Sequence, residues 1–170
     1  MAKHKGFSLI ELLIVVAIIL IIAAIAIPNL MRARMAANDS SAASSVRQIN
    51  NAEIAYYATF PTIGFPAAMA TLGGALPCTP GILTACILDD NLANNGFGNG
   101  KSGYNFNATA SASAGSLIND QFFSTGAPLS SLTGTRSYCS IQDAVLRIQP
   151  AGTITLVGGY GACQGLTAMP

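Results

Sequence analysis

Few residues in this chain are equipped for chemistry. The one histidine is His4, set between Lys3 and Lys5, so nothing downstream offers an imidazole as general base or metal ligand. Four cysteines remain, Cys78, Cys86, Cys139 and Cys163, whose spacings match no pair of C-x-x-C zinc ligands. They allow three disulfide pairings. Cys78 with Cys86 and Cys139 with Cys163 are favoured because each joins neighbouring parts of the chain, each bond stabilising a fold by about 2 to 4 kcal/mol. Asp89, Asp90, Asn91, Asn94 and Asn95 cluster oxygen ligands, but their spacing fits no calcium loop and reads as a solvated loop. A nucleophile, base and oxyanion donor cannot be assembled, and no Gly-rich phosphate loop precedes a helix. The chain is therefore read as having no catalytic, cofactor-binding or metal-binding residues, and as not being an enzyme. Glu11 is the exception that needs a reason, because it borders a long apolar run, where a carboxylate costs up to about 3 kcal/mol unless it is wet, paired or protonated.

The elements that position these groups follow from composition. Only 9% of the 170 residues are charged and the net charge is +1, against about 25% charged in an ordinary soluble domain. Recognition of nucleic acid by phosphate neutralisation is disfavoured. Leu12 to Ile27 is unbroken apolar sequence, and no charge stands between Glu11 and Arg32. A bilayer core of about 30 Å needs about 20 helical residues, so 7–30 is long enough to span. Lys3 and Lys5 before it place the N-terminus in the cytoplasm.

No glycine stands between Gly6 and Gly64, and Pro28 is the lone proline before Pro61. One helix is expected from Phe7 to Phe60, stopped at Phe60-Pro61 because a residue before proline avoids the helical region. Its second half, 31–60, carries one apolar stripe of Val46, Ile49, Tyr56 and Phe60, with Arg47, Asn51 and Glu53 read as lying elsewhere on the wheel. Tyr56, Tyr57 and Phe60 read as packing residues rather than an electron path. Pro28 removes one backbone hydrogen bond and bends or loosens the preceding turn.

Beyond Pro61 the chain is rich in Gly, Ala, Asn, Ser and Thr. Loops are expected over 61–103, and antiparallel strands over 103–170. The alternation of Tyr104 and Phe106 with Asn105 and Asn107 marks one strand, and Thr135 to Ile141 a second. Leu146 to Gln149 and Thr153 to Leu156, joined by a turn at Pro150-Ala151-Gly152, make a meander. Ala108 to Ser116 reads as loop. The fold class is α+β: a long N-terminal helix, half transmembrane and half amphipathic, packed on a small antiparallel sheet.

The order of features at the N-terminus is wrong for a secretory signal, in which small residues follow the apolar region. Here Gly6 precedes it. The stretch Gly6-Phe7-Ser8-Leu9-Ile10-Glu11-Leu12-Leu13-Ile14-Val15-Val16 closely resembles the N-terminus of type IV prepilins and pseudopilins. The resemblance covers about the first 60 residues strongly and the rest in architecture alone. It implies a leader at 1–6, cut by prepilin peptidase between Gly6 and Phe7, and N-methylation of Phe7. The mature chain would lack histidine and carry a slight acidic excess. For Glu11 two accounts stand: a carboxylate wetted by headgroups, or a partner for the Phe7 ammonium of a neighbouring subunit in a low-dielectric core. The resemblance favours the second. It also implies local melting of Ala23 to Pro28 in assembled filaments, and pinning of a C-terminal loop by Cys139 with Cys163.

What the resemblance implies for function is a structural subunit of a type IV pilus, working in adhesion, twitching motility or DNA uptake. The partners implied are further copies of the chain in a helical filament, the peptidase, the assembly machinery and, before assembly, the inner membrane; afterwards the subunit lies on the cell surface. The alternatives are a pseudopilin of a type II secretion system and, with less support, a membrane-anchored binding module.

Overall fold

The computed structural model describes residues 8–150 and 152–169. Gly6 and Phe7 lie outside the described residues. The chain divides into two units, 1–34 and 35–170, and helix α1 (Leu9–Thr59) begins in the first and ends in the second.

Within the first unit α1 is apolar along its length, with every residue from Leu9 to Met31 exposed except half-buried Ala23. Such a helix is stable without glycine, and Pro28 lies inside it without ending it. Proline has no amide hydrogen, so the carbonyl four residues back loses its donor. That carbonyl is Ala24's; one residue on, the side-chain amide of Asn29 donates to the Ile25 carbonyl at 3.1 Å.

In the second unit α1 presents a buried face of Ala42, Ala43, Val46, Ile49, Asn50, Ala52, Glu53 and Tyr56. Glu53 is thus on the stripe, not off it. Its spacing of four from Ile49 and three from Tyr56 puts it on the same helical face. The helix ends at Thr59, and the Phe60 amide still donates to the Tyr56 carbonyl at 2.9 Å before Pro61 turns the chain. Gly64 follows with φ of +88°, and a Cβ there would meet the Asn119 carbonyl oxygen at 2.1 Å, so both conformation and space demand glycine.

Five antiparallel strands pair in sequence order: β1 (Tyr104–Ser111), β2 (Gln121–Pro128), β3 (Tyr138–Ile141), β4 (Arg147–Ile148) and β5 (Thr167–Ala168). A 3-10 turn at Met69–Leu72 and the short helix α2 (Asp90–Ala93) break the 61–103 stretch, and α3 (Tyr160–Gln164) precedes β5. The main core gathers Val46, Ile49 and Tyr56 with Met69, Leu72, Leu88, Leu92, Tyr104, Phe106 and Tyr138. Burying each large side chain contributes about 1.5 to 3 kcal/mol. A second cluster of Phe123, Cys139, Ile141, Val157 and Cys163 lies among β2, β3 and the C-terminal segment.

The strands depart from the sequence reading in several places. β1 runs through Ala108 to Ser111, read as loop, because those residues pair with Ser124 to Gln121 of β2. β2 itself has no alternation to find: all of Phe122 to Pro128 is buried, so both faces are covered and the period-2 signal vanishes. Thr153 to Leu156 is not a strand. The free edge of β4 is taken instead by β5, with the Met169 amide donating to the Leu146 carbonyl at 2.7 Å.

Candidate functional site

The first turn of α1 is organised around Glu11. Ser8 is the residue before the helix, and its backbone amide donates to Glu11 Oε2 at 2.9 Å, while its carbonyl accepts from the Glu11 and Leu12 amides at 3.1 and 3.3 Å. This is one half of a capping box, the Glu three residues in reaching back to a donor that the helix leaves unpaired. A negative charge there also opposes the positive end of the helix dipole. Glu11 therefore has a partner within its own chain, a third account beside headgroups and a neighbouring ammonium. Behind it runs an apolar surface with no polar side chain from Leu12 to Ile27.

The helical conformation holds from Ala23 to Pro28 in the single chain. Arg32 and Arg34, both exposed, end the uncharged stretch.

In the second unit, α1 is tied to the strand segments by polar groups. Asp39 accepts from the Thr135 amide at 3.0 Å, from Thr135 Oγ1 at 2.7 Å and from the Tyr104 hydroxyl, and Asn38 Nδ2 donates to the Thr133 carbonyl at 2.8 Å. This explains why β3 starts at Tyr138 rather than Thr135: residues 133 and 135 are held by the helix. Burial first, then the hydrogen bond to Asp39, pushes the Tyr104 hydroxyl well above its usual range. Deeper along the helix, Asn50 Nδ2 donates to Ser140 Oγ at 3.0 Å. Glu53 is fully buried, and that burial pushes its carboxyl up to about 8.

Cys78 is bonded to Cys86, and Cys139 to Cys163. The first closes a half-exposed loop in which Ile82 and Leu83 are exposed. The second is wholly buried and joins β3 to α3. Asp89 and Asp90 spend their oxygens on local structure: Asp89 Oδ2 accepts from the Leu92 amide at 3.2 Å as the cap of α2, and Asp90 Oδ1 accepts from Asn94 Nδ2 at 2.8 Å. Among the described residues no group of three or more His, Cys, Asp or Glu side chains is placed to hold a metal ion. On the surface, hydrogen bonding to Arg147 keeps Asp143 below the usual carboxylate range.

Sequence reasoning missed the polar residues of this interface, Asn38, Asp39, Asn50 and Glu53. Glu53 was legible from its spacing to Ile49 and Tyr56. Asp39 carried no signal, because its partners come from residues 104 and 135.

A long N-terminal helix, apolar in its first half, with a small antiparallel sheet, is an α+β, pilin-like architecture. Residues 1–27 match the family model for the prokaryotic N-terminal methylation motif. The chain is 65% identical over 40 residues to the type IV wide pilus major component PilA4 of Thermus thermophilus, covering 24% of this chain and 30% of that one. It is 42% identical over 55 residues to the type IV major pilin protein PilA of Myxococcus xanthus, covering 32% and 25%. The chain thus spans about a third or less of the length of the curated relatives it matches. No solved structure matches it.

Proposed function

We propose that this chain is a structural subunit of a type IV pilus filament. It enters the inner membrane as a precursor, is cut between Gly6 and Phe7, is methylated on the new Phe7 amine, and polymerises through α1. The observation that carries this reading is the first half of α1, which leaves every large apolar side chain from Leu9 to Met31 exposed while placing one carboxylate in its first turn. Water is a poor solvent for that surface. Lipid covers it before assembly, and copies of the same helix cover it afterwards.

Glu11 then has two successive partners. In the single chain it caps its own helix; in the filament its carboxylate meets the Phe7 ammonium of a neighbour, where low dielectric strengthens the attraction and wrong axial register leaves a charge unpaired. The head, 61–170, is displayed outward and supplies adhesion, motility or DNA-uptake contacts. Both matched relatives are named as pilus components, which favours a pilus over the short pseudopilus of a type II secretion system.

Electron microscopy of sheared surface material, with mass spectrometry of the fibre N-terminus, tests the proposal. Long fibres of this chain beginning at methylated Phe7 are expected. Processed chain confined to the envelope would transfer the reading to a pseudopilin, and a chain retaining residues 1–6 would overturn both.

A further inference from the structure

Three acceptor oxygens lie buried together on one face of α1 without a donor. Asn50 Oδ1, Glu53 Oε1 and Glu53 Oε2 have no hydrogen-bond partner among the described residues. Asn50 and Glu53 stand three residues apart, neighbours on the helix surface. The hydroxyl bonded to Asn50 cannot help, because Ser140 receives its bond from Asn50 Nδ2 and gives its single hydroxyl proton to the Val145 carbonyl at 3.0 Å. No lysine or arginine nitrogen reaches Glu53, the one ion pair among the described residues being Arg147 with Asp143. A carboxylate in that position would be a buried charge with neither counter-ion nor donor, an arrangement proteins avoid by taking up a proton.

We propose that Glu53 is a carboxylic acid in the folded head at neutral pH, and that packing of the second half of α1 into that head is consequently proton-linked. The proton answers both problems, removing the charge and supplying a donor to a cluster that otherwise holds acceptors alone.

The surroundings agree. On its own helix the titratable neighbour is Tyr56, whose hydroxyl donates to the Ile82 carbonyl at 2.9 Å and is itself pushed up by burial and by Glu53. From the strands, Tyr104 and Tyr138 share the core but are raised by burial and by Asp39, not by Glu53. From α2 and its cap, Asp89 and Asp90 are engaged with Leu92 and Asn94. Among the described residues no lysine or arginine is paired with the group. Desolvation is the cause that lifts Glu53 to about 8.

The sign follows from proton counting. Between the ordinary glutamate value of 4.5 and about 8 the folded chain holds one proton more than the unfolded chain, so stability falls as pH rises through that window and levels off above it. The unfolding equilibrium constant should grow about tenfold per pH unit, hence about a hundredfold from pH 5 to pH 7. Asp120 and Asp143, both held low by hydrogen bonds, act below this window.

The test is chemical denaturation of the full chain in detergent micelles from pH 5 to pH 9, for the wild type and Glu53→Gln, with infrared spectroscopy of the folded wild type. A fall in wild-type stability that Glu53→Gln flattens is expected, with a protonated-carboxyl C=O band at pH 7 that vanishes on unfolding. Equal pH profiles for the two chains would overturn the proposal. So would absence of the band, which would mean an ionised Glu53 served by trapped water; the band also decides the matter if the variant fails to fold.

Discussion

The Tyr104 hydroxyl on β1 lies within hydrogen-bond reach of the carboxylate of Asp39 on α1, 65 residues earlier, and of the Arg136 carbonyl at 2.8 Å, with one proton to share between the two acceptors. One phenol thereby links the helix, the first strand and the segment leading into the third. Asp39 adds two bonds from Thr135, so a single carboxylate gathers three donors that no local sequence signal pairs.

Asp39→Ala should remove the hydrogen bonds that Thr135 and Tyr104 make to a charged acceptor, costing about 1.5 to 3 kcal/mol, with Tyr104 falling back on the Arg136 carbonyl and exposed Thr135 on water. Tyr104→Phe removes donor and bond together and should cost less. Denaturation of the full chain in micelles, comparing the two variants, checks the order; a larger loss for Tyr104→Phe would mean that packing, not the hydrogen bonds, dominates there.

The two disulfides should behave differently. Cys139 and Cys163 are 0% exposed and close a longer loop, with a sequence separation of 24 against 8 for Cys78 and Cys86. The entropic difference is about 1 kcal/mol in favour of the longer loop, and attack by an external thiolate requires access to sulfur. Graded reduction followed by alkylation and peptide mapping should label Cys78 and Cys86 first. Labelling of Cys139 at the same rate would show that the C-terminal segment opens readily.

Glu11→Ala removes the cap of α1 and, in a filament, the partner of the neighbouring ammonium. The cap alone is a small matter, about 0.3 to 1 kcal/mol, so membrane insertion should persist. Filament yield should collapse. Fractionation alongside electron microscopy separates the two effects, and wild-type fibre yield from Glu11→Ala would remove Glu11 from the assembly argument.

Pro28→Ala restores a backbone donor within α1 and relieves the ring clash, a gain of up to about 3 kcal/mol in local helix stability. Amide hydrogen exchange of the full chain in micelles should slow around Ala23 to Asn29. Asn29→Leu should do the reverse, since it deletes the bond to the Ile25 carbonyl. Unchanged exchange in both variants would show that this turn is held by its surroundings.

The N-terminal third of the protein is legible in the residues alone, because a glycine-free stretch opening on an unbroken apolar run admits only a long helix, and its motif is contiguous. The Val46, Ile49 and Tyr56 stripe is equally local. The rest depends on partners distant in sequence. β2 is covered on both faces and shows no alternation; β4 takes its second neighbour from Thr167 and Ala168 rather than from the adjacent Thr153 to Leu156; Asp39 acquires its role from Tyr104 and Thr135. Glu53 shows the division in one residue: its spacing already placed it on the buried face, but only the packed core, in which no described residue offers it a cation or a donor, decides that its carboxyl must keep a proton.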